Sequence, residues 1–179
     1  CRECGIDGAH GFMAEYFTSP AEDLVRVPGA LAPWGFLAEP ASVVEKALEL
    51  AAASRSTVTW EPNTALVLGN GPLGLLTVAM LCGRMDVFCL GRRDRPDPTI
   101  DLIESLGATY VDGRETPIAT IPTAFEPADL VVEATGYPRH AVDCVHALAP
   151  GGVAALLGVP SPTEFSFDGG EFHRELVVG

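Results

Sequence analysis

Ala65-Leu-Val-Leu-Gly69-Asn70-Gly71-Pro72-Leu73-Gly74-Leu-Leu-Thr-Val-Ala-Met-Leu81 is an apolar run that meets a G-x-G-x-x-G and continues as a second apolar run. It reads as strand, tight turn, helix. Gly69 permits the turn, Gly71 lets backbone come close to a pyrophosphate, and Gly74 lets the helix pack against the strand, with the helix N-terminus facing the anion. The stretch therefore predicts a dinucleotide site, although glycine-rich turns between strand and helix also serve purely structural ends. Its surroundings have to decide between the two.

The next predicted strand, Val87-Phe-Cys-Leu90, ends at Gly91-Arg92-Arg93. That is where an acid that accepts from the ribose 2′-hydroxyl of NAD is expected, roughly 20 residues after the glycines. An arginine occupies the position instead. Guanidinium groups suit a 2′-phosphate, so Arg92 and Arg93 favour NADP over NAD. A solvated basic turn is the alternative. Against it stands the charge balance: 11 basic and 24 acidic residues make the cluster Arg92, Arg93 and Arg95 a local reversal of the chain's sign.

Further along, the pattern alternates as a doubly wound parallel sheet requires. A helix over Thr99 to Leu106 leads to a strand over Thr109 to Val111. A polar, proline-containing loop then leads to a strand over Leu130 to Glu133, a helix over His140 to Leu148 and a strand over Val153 to Leu157. Two loops fall at the carboxyl ends of these strands, where such a sheet presents its ligand: Glu133-Ala-Thr135-Gly136 and Leu157-Gly158-Val159-Pro160. With Asn70, Pro72, Leu73 and Arg92 they are expected to form one cofactor rim.

Upstream, Phe12-Met-Ala-Glu-Tyr-Phe17 and Asp23-Leu-Val-Arg-Val27 alternate between glycines and prolines and read as two strands of a β-rich lobe. From Trp34 the apolar residues Phe36, Val43, Val44, Ala47, Leu48, Leu50 and Ala51 recur at three- and four-residue spacing, predicting a helix to about Ser54. The expected organisation is a lobe fragment over 1–33, a linking helix and connector over 34–62, and the dinucleotide-binding domain over 63–179.

The composition narrows the function. A net charge of −13 with a single lysine, Lys46, argues against a nucleic-acid or anionic-membrane surface. Acid excess with so little lysine is expected of a protein working in concentrated salt, where screening removes the cost of self-repulsion. Five cysteines are an odd number, and Cys82, Cys89 and Cys144 lie in apolar patterns, which predicts buried free thiols and a reducing compartment. The longest apolar run, around Gly71 to Gly83, is broken by glycine and proline and too short to span a bilayer, and no signal peptide precedes it. A soluble, cytoplasmic protein is expected. The start at Cys1 and the β-like run His173-Arg-Glu-Leu-Val-Val-Gly179 at the other end suggest an excerpt of a longer polypeptide. Cys1-Arg-Glu-Cys4 has half of a zinc-site spacing with no second pair after it.

Four segments resemble a known family. Gly5-Ile-Asp-Gly-Ala-His10-Gly-Phe-Met-Ala-Glu-Tyr-Phe, Leu37-Ala-Glu39-Pro40, the glycine turn, and Cys89-Leu-Gly-Arg92-Arg93-Asp-Arg-Pro-Asp-Pro-Thr99 are similar to the archaeal glucose 1-dehydrogenases of the haloarchaeal type. These form a zinc-dependent branch of the medium-chain dehydrogenase/reductase superfamily. The resemblance implies a Rossmann-type α/β domain beside a GroES-like catalytic lobe, and oxidation of the C1 hydroxyl of D-glucose to the lactone with hydride passing to NADP. It implies a homodimer or homotetramer of the full-length protein. It also implies that Glu39, in the Glu-Pro motif, is a zinc ligand at the sugar and the catalytic residue of this stretch, and that Glu3 touches a substrate hydroxyl. On physical grounds alone, Glu39 could equally be a helix-start acid favoured by the macrodipole, and Glu3 a surface acid. His10 stays unassigned, and the structural zinc of some relatives is not carried over to Cys1 and Cys4. Two alternatives stay open: another polyol or alcohol dehydrogenase on the same scaffold, and a non-catalytic NADP-binding module.

Overall fold

The computed structural model describes residues 3–5, 8–121 and 125–166. The β-like run at 173–179 and Cys1 lie outside the described residues. The chain divides into two units, Cys1–Phe36 and Leu37–Gly179.

In the first unit two short strands, β1 (Glu3–Cys4) and β2 (Gly8–Ala9), pair in parallel, Glu3 opposite Gly8 and Cys4 opposite Ala9. The strands expected at Phe12–Phe17 and Asp23–Val27 do not form. The rings of Phe12 and Phe17 stack with centroids 4.5 Å apart, whereas an extended strand would hold them roughly 16 Å apart. Asp23 instead closes a 3-10 turn over Ala21–Asp23. The alternating side chains Met13, Tyr16, Leu24 and Val25 are exposed, so the period-two pattern has no sheet to lie on.

A 3-10 helix over Gly29–Leu37 leads into α1 (Ala38–Ser54), so the α-helix begins four residues later than the periodicity from Trp34 suggests. Pro33 lies within the 3-10 segment, and a proline there lacks the N–H that an α-helical turn would use. The second unit continues as β3 (Thr64–Leu68), α2 (Pro72–Leu81), β4 (Asp86–Gly91), α3 (Pro98–Ser105), β5 (Thr109–Asp112), β6 (Ala128–Glu133), α4 (Pro138–Ala147) and β7 (Leu148–Leu156). All five strands are parallel, in the order β5-β4-β3-β6-β7. The fold is the expected doubly wound α/β sheet.

Both faces of β3 are covered, which explains its unbroken apolar run. Ala65 and Val67 face one core with Val78 and Leu81 of α2, Ala51 of α1 and Ile103 of α3. Leu66 and Leu68 face the other, with Cys144 and Ala147 of α4 and Ile118 and Ile121 from the segment after β5. Among the described residues, no helix is long and apolar enough to cross a membrane.

The chain leaves β3 toward β4 and β5 on one side and returns to β6 and β7 on the other. This reversal opens a crevice beyond the carboxyl ends of β3 and β6. Gly69, at φ +106°, turns the chain there, and its N–H donates to the Leu90 carbonyl at 2.8 Å. Gly74 brings α2 so close that a Cβ would lie inside the van der Waals surface of the Gly69 carbonyl oxygen. Because that neighbour is backbone, it cannot swing aside. Gly74→Ala is expected to cost about 1–3 kcal/mol of stability, read as a lower thermal midpoint by circular dichroism; an unchanged midpoint would mean α2 has room to move.

Candidate cofactor cleft

A cleft of about 360 Å³ opens at the switch point, lined by Gly69, Asn70, Leu90, Arg92, Ile118, Thr135, His140 and Asp143 among others. Gly71 is the N-cap of α2 and Pro72 its first residue, with no side chain capping the helix. The N–H groups of Leu73 and Gly74 fall in the first turn, where they have no intrahelical acceptor. A Cβ built on Gly71 would meet nothing within 4 Å. A free donor row at a helix N-terminus beside open space is what a pyrophosphate requires, so these residues fit a dinucleotide.

Asn70 does more than line the cleft. Its side-chain N–H donates to Thr99 Oγ1 at 3.1 Å, and Thr99 N–H donates to Asp97 Oδ1 at 2.8 Å, capping α3. The glycine turn is thereby tied to the helix after the arginine loop. Hydrogen bonds from the Thr99 hydroxyl and N–H hold the Asp97 carboxyl below its usual range.

The arginines separate into two kinds. Arg95 pairs with Glu104, and Arg114 pairs with Asp112 at 2.6 Å and Asp94 at 2.7 Å. The side-chain and backbone bonds from Arg114 lower the Asp112 carboxyl to about 2. Arg92 and Arg93 are exposed and form no ion pair among the described residues. The backbone beneath them is held by Tyr110, whose hydroxyl accepts from Arg93 N–H at 2.8 Å and donates to Arg93 O at 3.1 Å. The Arg92 guanidinium thus stands at the cleft's rim, and Arg93 follows it on the Tyr110-held loop without lining the cleft.

On the other wall is Glu133, a carboxylate only 2 % exposed at the end of β6. Its Oε1 accepts from the Thr135 N–H at 2.7 Å, from the Thr135 hydroxyl, and from the Gly136 N–H at 3.1 Å. Its backbone carbonyl accepts from Leu157 N–H at 2.8 Å and Gly158 N–H at 3.0 Å. One residue holds both loops expected to meet the ligand. Thr135 Oγ1 also accepts from the Tyr137 N–H at 3.0 Å and lies 2.9 Å from His140 Nδ1. The ring of Tyr137 meets that of His140 edge-on, centroids 4.9 Å apart.

Gly69, Asn70, Arg92 and Thr135 of the predicted residues line the cleft together. Gly71, Pro72, Leu73 and Gly74 follow directly as the helix mouth. Val159 is exposed beside Gly136, and Leu157 and Gly158 spend their N–H groups on Glu133. Glu39 lies in the first turn of α1, exposed, and the Ser42 hydroxyl donates to its carbonyl at 2.6 Å. No group of three metal-ligating side chains occurs among the described residues. Glu3 belongs to β1, its side chain outside the description, and His10 is exposed. Sequence reasoning missed Glu133 and His140. An acid ending an otherwise apolar strand was the available signal for Glu133; His140, on the first turn of α4, carried none. A second cavity, of about 290 Å³, lies at the other end of the strands around Thr64, Asp86 and Phe125 and is lined by no arginine and by none of the G-x-G-x-x-G glycines.

The doubly wound sheet with its glycine turn, helix mouth and arginine rim defines a dinucleotide-binding domain of the dehydrogenase type. The chain belongs to the family described as glucose dehydrogenase C-terminus, which matches residues 32–179. It is 62% identical to a glucose 1-dehydrogenase of Halobacterium salinarum over 98% of this chain and 51% of that protein. It is 60% identical to glucose 1-dehydrogenase 1 of Haloterrigena turkmenica over 98% of this chain and 49% of that one. The chain thus spans about half the length of these relatives. Among solved structures it resembles Haloferax mediterranei glucose dehydrogenase in complex with NADP, zinc and gluconolactone, with TM-score 0.91 and 59% identity over 94% of this chain and 48% of that one.

Burial pushes the His140 imidazole below its ordinary value of 6.5, Arg92 adds to this, and the Glu133 and Asp143 carboxylates oppose it. Between the lowered and the ordinary value the unfolded chain holds more protons, so stability rises with pH there. The contribution is complete above the ordinary imidazole range and lost as pH falls through it. In His140→Gln, denaturant midpoints measured across pH 5 to 7 should show a smaller slope with pH than in the wild-type protein.

Proposed function

We propose that this chain carries the cofactor-binding half of an NADP-preferring, zinc-dependent dehydrogenase that oxidises the C1 hydroxyl of D-glucose or a similar aldose to the lactone. The observation that carries the reading is the pair Arg92, which lines the glycine-turn cleft, and Arg93 beside it: neither forms an ion pair among the described residues, while their neighbours Arg95 and Arg114 are paired. The relatives named glucose 1-dehydrogenase, and the similar structure holding NADP, zinc and gluconolactone, support the substrate and both cofactors.

When bound, zinc supplies Lewis acidity that favours loss of the hydroxyl proton, and the nicotinamide supplies the hydride acceptor. This chain's own residues bind and orient. The Leu73 and Gly74 N–H groups receive the pyrophosphate, Arg92 and Arg93 take the 2′-phosphate, and the loops at Thr135–Gly136 and Leu157–Val159 border the nucleotide. Glu39 is assigned as one carboxylate of the mixed zinc set and as a sugar contact. No companion ligands gather with it among the described residues. Glu3 is assigned to a substrate hydroxyl, and residues 1–33 to the GroES-like lobe.

The further partners follow from charge and chemistry. A net charge of −13 supports a small-molecule enzyme without nucleic-acid or membrane partners, and a homodimer or homotetramer of the full-length protein rests on the family resemblance read in the sequence. Free, fully buried Cys89 and Cys144, both pushed up to about 12 by burial, support a reducing cytoplasm.

Replacing Arg92 and Arg93 together by alanine should weaken NADP⁺ at least about 10- to 100-fold, the size of one to two charge-assisted hydrogen bonds, while NAD⁺ changes little. Calorimetry with both nucleotides measures this, and equal weakening of the two overturns the 2′-phosphate assignment. Glu39→Ala should lower turnover and zinc content, the latter by metal analysis, with the thermal midpoint retained. Unchanged turnover removes Glu39 from the site.

A further inference from the structure

The α4 wall of the cleft carries His140 and Asp143, and the hydrogen-bond network behind them dictates what they offer a ligand. The Thr135 hydroxyl has one proton, which goes to the Glu133 carboxylate. One Thr135 lone pair takes the Tyr137 N–H. What remains toward His140 Nδ1, at 2.9 Å, is an acceptor. Nδ1 must therefore carry the imidazole proton, and in the neutral ring Nε2 is a bare acceptor. Asp143 adds a second acceptor: its Oδ1 takes the Arg139 Nε–H at 2.8 Å, and Oδ2 accepts no hydrogen bond among the described residues. The rest of the cleft divides by polarity. Leu90, Pro117 and Ile118 give apolar walls that suit a planar ring, and Arg92 stands at the charged rim.

We infer that His140, held in one tautomer by Glu133 and Thr135, reads the purine edge of the nucleotide as a hydrogen-bond donor together with Asp143. The cleft thereby selects adenine, with its 6-amino group, over a 6-oxopurine. At position 6 an oxo group would set an acceptor against acceptors, while the proton a 6-oxopurine gains sits on N1, one position away; mismatched polar edges discriminate more sharply than missing apolar contact. The inference rests on the cleft being the cofactor site.

The acceptor role depends on a neutral ring. Burial disfavours the cation, as does Arg92 at the end of β4; Glu133 on β6 and Asp143 on α4 itself act the other way. Arg139 on α4 partly neutralises Asp143, and the segment Pro117–Ile121 that packs on α4 brings no titratable group. Protonation would convert Nε2 from acceptor to donor and erase the preference.

The test compares NADP⁺ with its deaminated hypoxanthine analogue by calorimetry on the protein and on His140→Leu, Thr135→Val and Asp143→Asn. Wild-type protein should bind NADP⁺ about tenfold more tightly than the analogue at pH 7.5, the factor that one well-made hydrogen bond gives. The preference should approach unity in His140→Leu and shrink in Thr135→Val, with the ratio of NADP⁺ to NAD⁺ affinity unchanged. In the wild-type protein it should fall as pH drops below the ordinary imidazole range, which keeps the test open if a variant does not fold. Equal affinity for the two purines, or a preference that survives in His140→Leu, overturns the inference and leaves the cofactor reading standing. Failure to bind NADP⁺ or NAD⁺ at all overturns both.

Discussion

The close approach of α2 to the Gly69 carbonyl is the constraint on which the second unit depends. A helix normally stands off a strand by the thickness of its side chains, but Gly74 removes one at the point of crossing. α2 can then start immediately after the turn, with its N-terminal N–H groups at the crevice between β3 and β6. Any larger residue at 74 would lift the helix mouth away from the anion and disturb the first core, where Val78 and Leu81 pack on Ala65 and Val67. The anion site and the hydrophobic core therefore share one geometric requirement.

The opposing wall is set by a buried charge. Removing a carboxylate from water is costly unless its lone pairs are used, and Glu133 uses them on two N–H groups and a hydroxyl of the very loop that follows it. The loop is held because the carboxylate needs it. The same residue's carbonyl fixes the turn after β7, so the two loops at the carboxyl ends of β6 and β7 share one anchor. Truncating the side chain would orphan the N–H groups of Thr135 and Gly136 at about 1–3 kcal/mol each where they remain buried.

The frame of this architecture was legible in the sequence because it rests on local signals. Apolar runs that tolerate no alternation mark strands covered on both faces, and the glycine spacing marks a turn whose sterics leave few options. Thus β3, α2 and β6 lie close to their expected positions, and Arg92 falls at the rim because strand length places it there. The first unit was not legible. Phe12–Phe17 has the alternation of a strand, but alternation pays off only against a sheet, and here the two aromatic rings fold onto each other. His140 was equally invisible, since its role comes from a threonine five residues earlier on a different element. Interactions that cross elements leave no periodicity.

The charge pattern ties the two walls together. In a chain this acidic, an unpaired arginine is surrounded by carboxylates that could claim it, as Asp112 and Asp94 claim Arg114. Tyr110 pins the Arg93 backbone, and the neighbouring acids bond elsewhere, Asp97 with Thr99, Glu104 with Arg95, and Asp94 and Asp112 with Arg114, so that Asp97 and Asp112 act on Arg93 and Arg92 only through longer-range charge. Each pairing nearby is thus also a subtraction of competitors. Exposed pairs of this kind add little to stability, so their effect is felt elsewhere: among the described residues they leave Arg92 without an ion pair on a cleft whose far wall carries His140 and Asp143. On the proposed cofactor reading, a ligand anionic at one end and a donor at the other would meet Arg92 and the acceptors His140 and Asp143, and reversing it would set anion against Asp143. Orientation in the cleft follows from that asymmetry.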